Sequence, residues 1–172
     1  DDDRSHDGPI TIEEGTRFGD LTLIKKIGQG AQGVVYQGRQ TSVGRTVAVK
    51  ILPKEVTFTG EQVERFQREA EAEGRLNHPN IVSVFGFQEA HGHHLILQEF
   101  VEGGSLEDLL EDKDSDGGTT NLNDCTWAAG MCRQVAEALQ HAHSHSVVHR
   151  DIKPGNVMLT SNGAPKLTDF GL

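Results

Sequence analysis

Only two cysteines, one tryptophan and one tyrosine occur in 172 residues, and each scarcity removes a class of architecture. Cys125 and Cys132 lie seven apart in a segment patterned as a helix, about 10.5 Å along its axis, too far for a disulfide within a regular helix. A disulfide-framed module is therefore excluded, and reduced thiols in a cytoplasmic compartment are expected. No apolar run approaches the roughly 18 residues of a membrane span, and no signal-peptide pattern opens the chain, which leaves open an anchor in a further segment. Basic residues are also few: 16 Lys and Arg against 26 Asp and Glu give a net charge of −10. Nucleic acid is not an expected partner, because its recognition calls for a basic face.

Histidine is the exception to this economy, with nine copies. His141, His143 and His145 recur on one segment and His91, His93 and His94 on another, but neither group has a Cys or carboxylate partner at zinc-site spacing. No structural metal is expected there. Residues 111–120 superficially suggest a calcium loop, yet they lack its spaced ligands and closing glutamate. They read as a polar loop between helices, and Asp1, Asp2, Asp3 and Asp7 as an acidic leader.

A hydrophobic content of 35% is enough to bury a core. Residues 21–27, 34–38 and 46–52 are rich in strand formers. Residues 61–76 carry Val63, Phe66 and Ala70 at helical spacing, with an end expected near Gly74. A second helix over about 124–143 presents Ala128, Met131, Val135, Ala138 and Ala142 on one face.

The chemistry is concentrated near the end of the sequence. Residues 149–156 read His-Arg-Asp-Ile-Lys-Pro-Gly-Asn, and Asp169-Phe170-Gly171 begins thirteen positions after Asn156. Between them, two strand-like runs at 157–159 and 166–168 flank Asn162-Gly163, a strong hairpin signal. Antiparallel pairing brings Asn156 and Asp169 together at the open end, where an amide oxygen and a carboxylate suit Mg²⁺, which takes oxygen ligands and shares them with phosphates. Asp151, in a loop, can reach the same space to orient and deprotonate an attacking hydroxyl. Lys153 supplies a compact cation for a transferring phosphoryl group.

Upstream, Gly28-Gln29-Gly30-Ala31-Gln32-Gly33 lies between two strand-like runs rather than between strand and helix. This argues for a glycine-rich hairpin covering phosphates, and against a dinucleotide-binding turn. In the next strand the period of two puts Val47, Val49 and Ile51 on one face and Ala48, Lys50 and Leu52 on the other. Ala48 and Lys50 stand about 6.7 Å apart along it, so a flat base could lie beside the former and phosphates beside the latter.

These motifs, in this order, resemble the eukaryotic-type serine/threonine protein kinase family over about residues 18–172. The likeness of 78–82 and 138–143 is to its bacterial members. The resemblance implies an α+β two-lobed fold. Residues 1–17 would form the leader and 18–98 an N-lobe with a five-stranded antiparallel sheet and a regulatory helix. Residues 99–102 would be the hinge and 103–172 a partial, mainly helical C-lobe. It implies that Ile27, Gly28, Gln29, Gly30, Ala31, Gln32 and Gly33 cover the ATP phosphates. Lys50 would contact the α- and β-phosphates while paired with Glu69. Val35, Ala48 and Met158 would sandwich the adenine, whose edge would bond the Glu99 carbonyl and the Val101 N–H. Asp151 would be the catalytic base, with Lys153 beside it, and Asn156 and Asp169 would hold Mg²⁺. His149 and Phe170 would be packing supports. Protein Ser/Thr hydroxyls are the implied substrates, with self-association for autophosphorylation as a further implied partnership. A complete domain would continue past Leu172 through an activation segment and a substrate-binding lobe.

Two positions depart from the family pattern. Glu73, in phase with the apolar stripe of its helix, stands where an apolar residue is usual. Either the helix frays and leaves it wet, or it is buried, competing with Glu69 for Lys50 or meeting His149. Gln98 stands where a larger apolar residue usually backs the adenine. The residues also admit a nucleotide-binding scaffold without transfer activity, or a small-molecule phosphotransferase.

Overall fold

The computed structural model describes residues 11–30, 33–52, 67–68, 70–111 and 125–170. The chain divides into two compact units, Asp1–Gln67 with Phe85–Phe100 and Arg68–Val84 with Val101–Leu172.

The first unit is built on one sheet. Its strands are β1 (Arg17–Phe18), β2 (Leu21–Gly30), β3 (Gly33–Gln40), β4 (Arg45–Ile51), β5 (Val84–Ala90) and β6 (His93–Glu99), in the order β1-β2-β3-β4-β6-β5. Among the described residues the count is six rather than the expected five, because Arg17 and Phe18 pair with Thr22 and Leu21. A two-residue strand leaves no periodicity to read. Alternation explains the central strands. Val47, Val49 and Ile51 pack with Leu21, Leu23, Tyr36, Leu95 and Leu97 in one apolar cluster. Ala48, Lys50 and Leu52 take the other face and are also buried, at 6%, 3% and 7% exposure. Register shifts between Leu23 and Lys25 and between Lys26 and Gly28 interrupt the β2–β3 ladder, and such irregularities bend a strand.

The second unit contains α1 (Leu106–Glu111), α2 (Cys125–Ser144), a short 3-10 turn (Pro154–Asn156), β7 (Val157–Leu159) and β8 (Pro165–Leu167), besides helical residues 70–74. Helix α1 is nucleated by a reciprocal cap. The Ser105 hydroxyl accepts from the Asp108 N–H at 3.1 Å, while the Asp108 carboxylate accepts from the Ser105 N–H at 2.8 Å and its hydroxyl at 2.7 Å. This arrangement contributes about 1 kcal/mol and lowers the Asp108 pKa, first through the hydroxyl. Met131, Ala138 and Ala142 of α2 are buried as the stripe predicts, and Val135 and Leu139 pack beside the core. Ala128 is exposed, because the buried face of α2 begins at Met131. Leu76, Ile81, Val157, Leu167 and Phe170 complete this core.

Candidate active site

The expected site residues are divided between the two units. In the first, β2 and β3 form the glycine-rich hairpin, with Gly28 opposite Val35, Gln29 opposite Val34 and Gly30 opposite Gly33. Ala31 and Gln32 lie outside the described residues. Ile27 is 43% exposed, and Gln29 and Gly30 are exposed with it, so this strand end is open to solvent. Gly33 has a positive φ of 123°, and a Cβ there would stand 2.2 Å from the Ile51 carbonyl oxygen. Only glycine lets β3 start so close to β4.

Cross-strand pairs place Val35 opposite Lys50, Lys50 opposite Ile96, and Ala48 opposite Gln98. Opposed residues share a face, so Gly28, Val35, Lys50 and Ile96 form one row across four strands, and Ala48 and Gln98 lie in the row of Gln37. Glu99 ends β6 opposite Val47. This face therefore offers a buried lysine and a small apolar patch, with the glycine-rich strand ends at its edge, within one unit. Glu69 lies outside the described residues. Glu73 is 6% exposed and helical. The expectation of a frayed, wet Glu73 is thus overturned, since the helix continues through residue 74 and turns at 75.

In the second unit β7 and β8 pair antiparallel with Val157 opposite Leu167 and Met158 opposite Lys166. Asn162 and the positive φ of 79° at Gly163 turn the chain. Beyond the last pair, the Thr168 N–H donates to the Asn156 carbonyl at 3.1 Å, so the ladder's open end carries Asn156 and leads into Asp169. Asp169 itself is left-handed, with φ 60°. Met158 bridges to Ser105, which brings the start of α1 against the hairpin. That approach requires Gly103, where a Cβ would lie 2.4 Å from the Leu159 carbonyl oxygen. The Gly103 N–H donates to the same oxygen at 2.9 Å. Val101 opens this stretch and is half-buried.

Asp151 is held from two sides. Lys153 Nζ lies 2.8 Å from its Oδ2. The Asn156 Nδ2 donates to the Asp151 carbonyl at 2.8 Å and to Oδ2 at 3.0 Å. These contacts keep the Asp151 pKa below the ordinary carboxylate value, with the Lys153 hydrogen bond the largest cause, and raise that of Lys153. Asn156 is buried, and with Nδ2 committed to Asp151 its Oδ1 is the atom left to accept a cation.

His149 fastens this loop to the strand before Asp169. Its Nε2 donates to the Thr168 carbonyl at 2.9 Å, and its Nδ1 accepts weakly from the Asp151 N–H at 3.4 Å. Its ring lies 4.5 Å from that of Phe170, centroid to centroid. Burial is the largest influence on His149 and lowers its pKa, which fits this neutral tautomer. Gly171 lies outside the described residues.

Three supports were not found by reading the sequence. Asn80 donates from Nδ2 to the Pro165 carbonyl at 2.8 Å and to Gln134 at 3.1 Å. Its carbonyl accepts from Leu167, whose own carbonyl accepts from Val82. Glu107 fills the space over Gly155, its Oε2 2.7 Å from where a Cβ would be. The Gly103 approach is the third. Each joins residues far apart in sequence, where periodicity carries no signal.

A protein kinase domain model matches residues 21–172. The chain belongs to the protein kinase family. This kinase chain is 38% identical over 163 residues to the probable serine/threonine-protein kinase PknB of Lactococcus lactis, covering 94% of the chain and 25% of that protein. It is 34% identical to the serine/threonine-protein kinase PrkC of Bacillus subtilis, over 90% of the chain and 23% of that protein. The crystal structure of the Mycobacterium tuberculosis PknI kinase domain matches with a TM-score of 0.77 at 30% identity, over 94% of this chain and 63% of that one. The chain thus spans about a quarter of the length of these curated relatives. The two-lobed kinase fold expected from the motifs is the one observed. Among the described residues no helix is long and apolar enough to cross a membrane, and no group of three or more His, Cys, Asp or Glu could hold a metal ion.

Proposed function

We propose that this chain is the nucleotide-binding and catalytic portion of a serine/threonine protein kinase that moves the γ-phosphoryl group of ATP to protein Ser/Thr hydroxyls. The observation that carries the reading is the grip of Lys153 and Asn156 on Asp151. A carboxylate so held stays ionised near neutral pH and in one orientation. It is suited to align the substrate hydroxyl and to take its proton as the oxygen bonds to the γ-phosphorus and ADP leaves. Lys153, shared with Asp151, offers positive charge to the transferring group. Lys50, with Glu69 as its proposed partner, is assigned to the α- and β-phosphates. The glycine loop with Val35, Ala48, Met158, Glu99 and Val101 is assigned to the remainder of ATP.

The free Oδ1 of Asn156 and the carboxylate of Asp169 give an oxygen donor set of the kind Mg²⁺ prefers, so both residues fit the metal-binding role. When bound, Mg²⁺ supplies neutralisation of the phosphate oxygens. Protein substrates, self-association for autophosphorylation and a cytoplasmic setting belong to the same proposal. The domain boundaries are proposed at residues 18, 99 and 103.

The test is calorimetric titration of the chain with ATP and Mg²⁺, alongside Lys50→Met and Asp169→Asn. Binding to the parent chain that is lost in both variants is expected. Phosphate transfer to a Ser/Thr protein is then followed in a version extended over the rest of the kinase domain. The buried carboxylate of Glu73 favours one second reading, a nucleotide-binding scaffold, which binding without transfer in the extended version would support.

A further inference from the structure

Three histidine rings from two segments meet beside the end of α2. The ring of His141 lies 4.4 Å from that of His145 and 5.2 Å from that of His78, centroid to centroid. Hydrogen bonds hold two of them in place. His78 Nδ1 accepts from the Asn80 N–H at 3.1 Å. His145 Nδ1 lies 2.9 Å from the His141 carbonyl oxygen, which also accepts from the Ser144 hydroxyl at 2.7 Å. His145 and Ser144 thereby satisfy a carbonyl that the helix end would leave without a partner.

His141 differs from both. Its Nε2 is buried and has no hydrogen-bond partner. A proton added there would create a cation with no acceptor, facing His145 just past the end of its helix and His78 from the neighbouring segment. These are the groups whose charges act on it. Glu137, one turn earlier, is ion-paired to Arg133 at 2.6 Å.

We propose that His78, His141 and His145 form a proton-sensitive latch on the C-terminal end of α2, closed while His141 is neutral and released when it takes up a proton. The released segment would be the short turn leading to His149. In that turn the Ser146 N–H donates to the His143 carbonyl at 2.9 Å and the Val147 N–H to the Ala142 carbonyl at 3.0 Å. Burial, then the charges of His145 and His78, lower the His141 pKa. The closed latch therefore contributes stability above the ordinary histidine value, and that contribution is lost as pH falls below it.

The experiment is amide hydrogen exchange with histidine ring titration by NMR on the 172-residue chain, between about pH 7.5 and 5.5. Protection at Ser146 and Val147, corrected for intrinsic exchange, is expected to fall by up to about tenfold per pH unit, while Leu167 keeps its protection. His141→Phe retains an aromatic ring without the titration and is expected to flatten the profile. His145→Asn removes the facing charge and is expected to move the midpoint to higher pH. Flat protection in the parent chain, or an unchanged profile in His141→Phe, overturns the latch. Should His141→Phe fail to fold, an unmoved midpoint in His145→Asn does so.

Discussion

Asn156 holds Asp151 through a single amide nitrogen, which reaches both the backbone carbonyl and the carboxylate. One side chain thus fixes where the carboxylate is and which way it points, and leaves its own oxygen for other use. Asn156→Asp would replace the donor by a second carboxylate facing Asp151. Like charges at that distance favour protonation, so the Asp151 pKa should rise. A carboxyl ¹³C titration showing Asp151 unchanged in this variant would contradict the arrangement.

The ion pair gives a separate expectation. The Asp151 pKa is held down chiefly by Lys153, so Lys153→Met should return it toward the ordinary carboxylate value. The sign follows from the depressed folded-state value. The pair's contribution is complete above the unfolded Asp value of about 3.9 and is lost as pH falls through the folded value. Acid unfolding of Lys153→Met should therefore show a weaker dependence on pH below about 4 than the parent chain, read by circular dichroism.

Two glycines are fixed by close approach. Gly33→Ala sets a methyl against the Ile51 carbonyl and strains a positive φ, for a loss of about 2–4 kcal/mol. Gly103→Ala meets the Leu159 carbonyl and should cost a similar amount. Urea unfolding curves within about 0.5 kcal/mol of the parent for both would show that the strands yield more readily than their geometry implies.

His149→Phe preserves an aromatic neighbour for Phe170 but removes the donor to the Thr168 carbonyl. A buried acceptor left unsatisfied costs about 1–3 kcal/mol. The pH dependence should change too. Neutral His149 in the parent chain contributes stability above the unfolded His value of about 6.5, which is lost as pH falls below it. Denaturant midpoints at pH 7.5 and 5.5 should converge in the variant, and an undiminished gap would assign the acid sensitivity to other groups.

The hairpin of β7 and β8 and the buried face of Lys50 were legible because their signals are local: a turn dipeptide between two short apolar runs, and strict alternation along one strand. The stripe on α2 was legible for the same reason, except at Ala128, where the apolar pattern continues one turn beyond the buried face. Arg17 and Phe18 carried no pattern long enough to announce a strand. The histidines of α2 were visible only as metal candidates. Their partner His78 lies 63 positions before His141, and the contact depends on how two segments pack, which spacing along one segment does not encode. Glu73 remained open in the sequence because helix phase and the solvation cost of a carboxylate point opposite ways, and the phase prevailed.

Leu167 has neighbours on both edges of its strand: Val157 on one, and the chain of Asn80 and Val82 on the other. Its side chain is fully buried as well. A strand without a free edge opens to solvent only when its surroundings come apart, so this peptide should exchange its amide proton on the timescale of unfolding of the whole unit. Two residues later the chain carries Asp169. The cation-binding candidate is therefore anchored to one of the slowest-opening parts of its unit, although the residue itself stands in a loop.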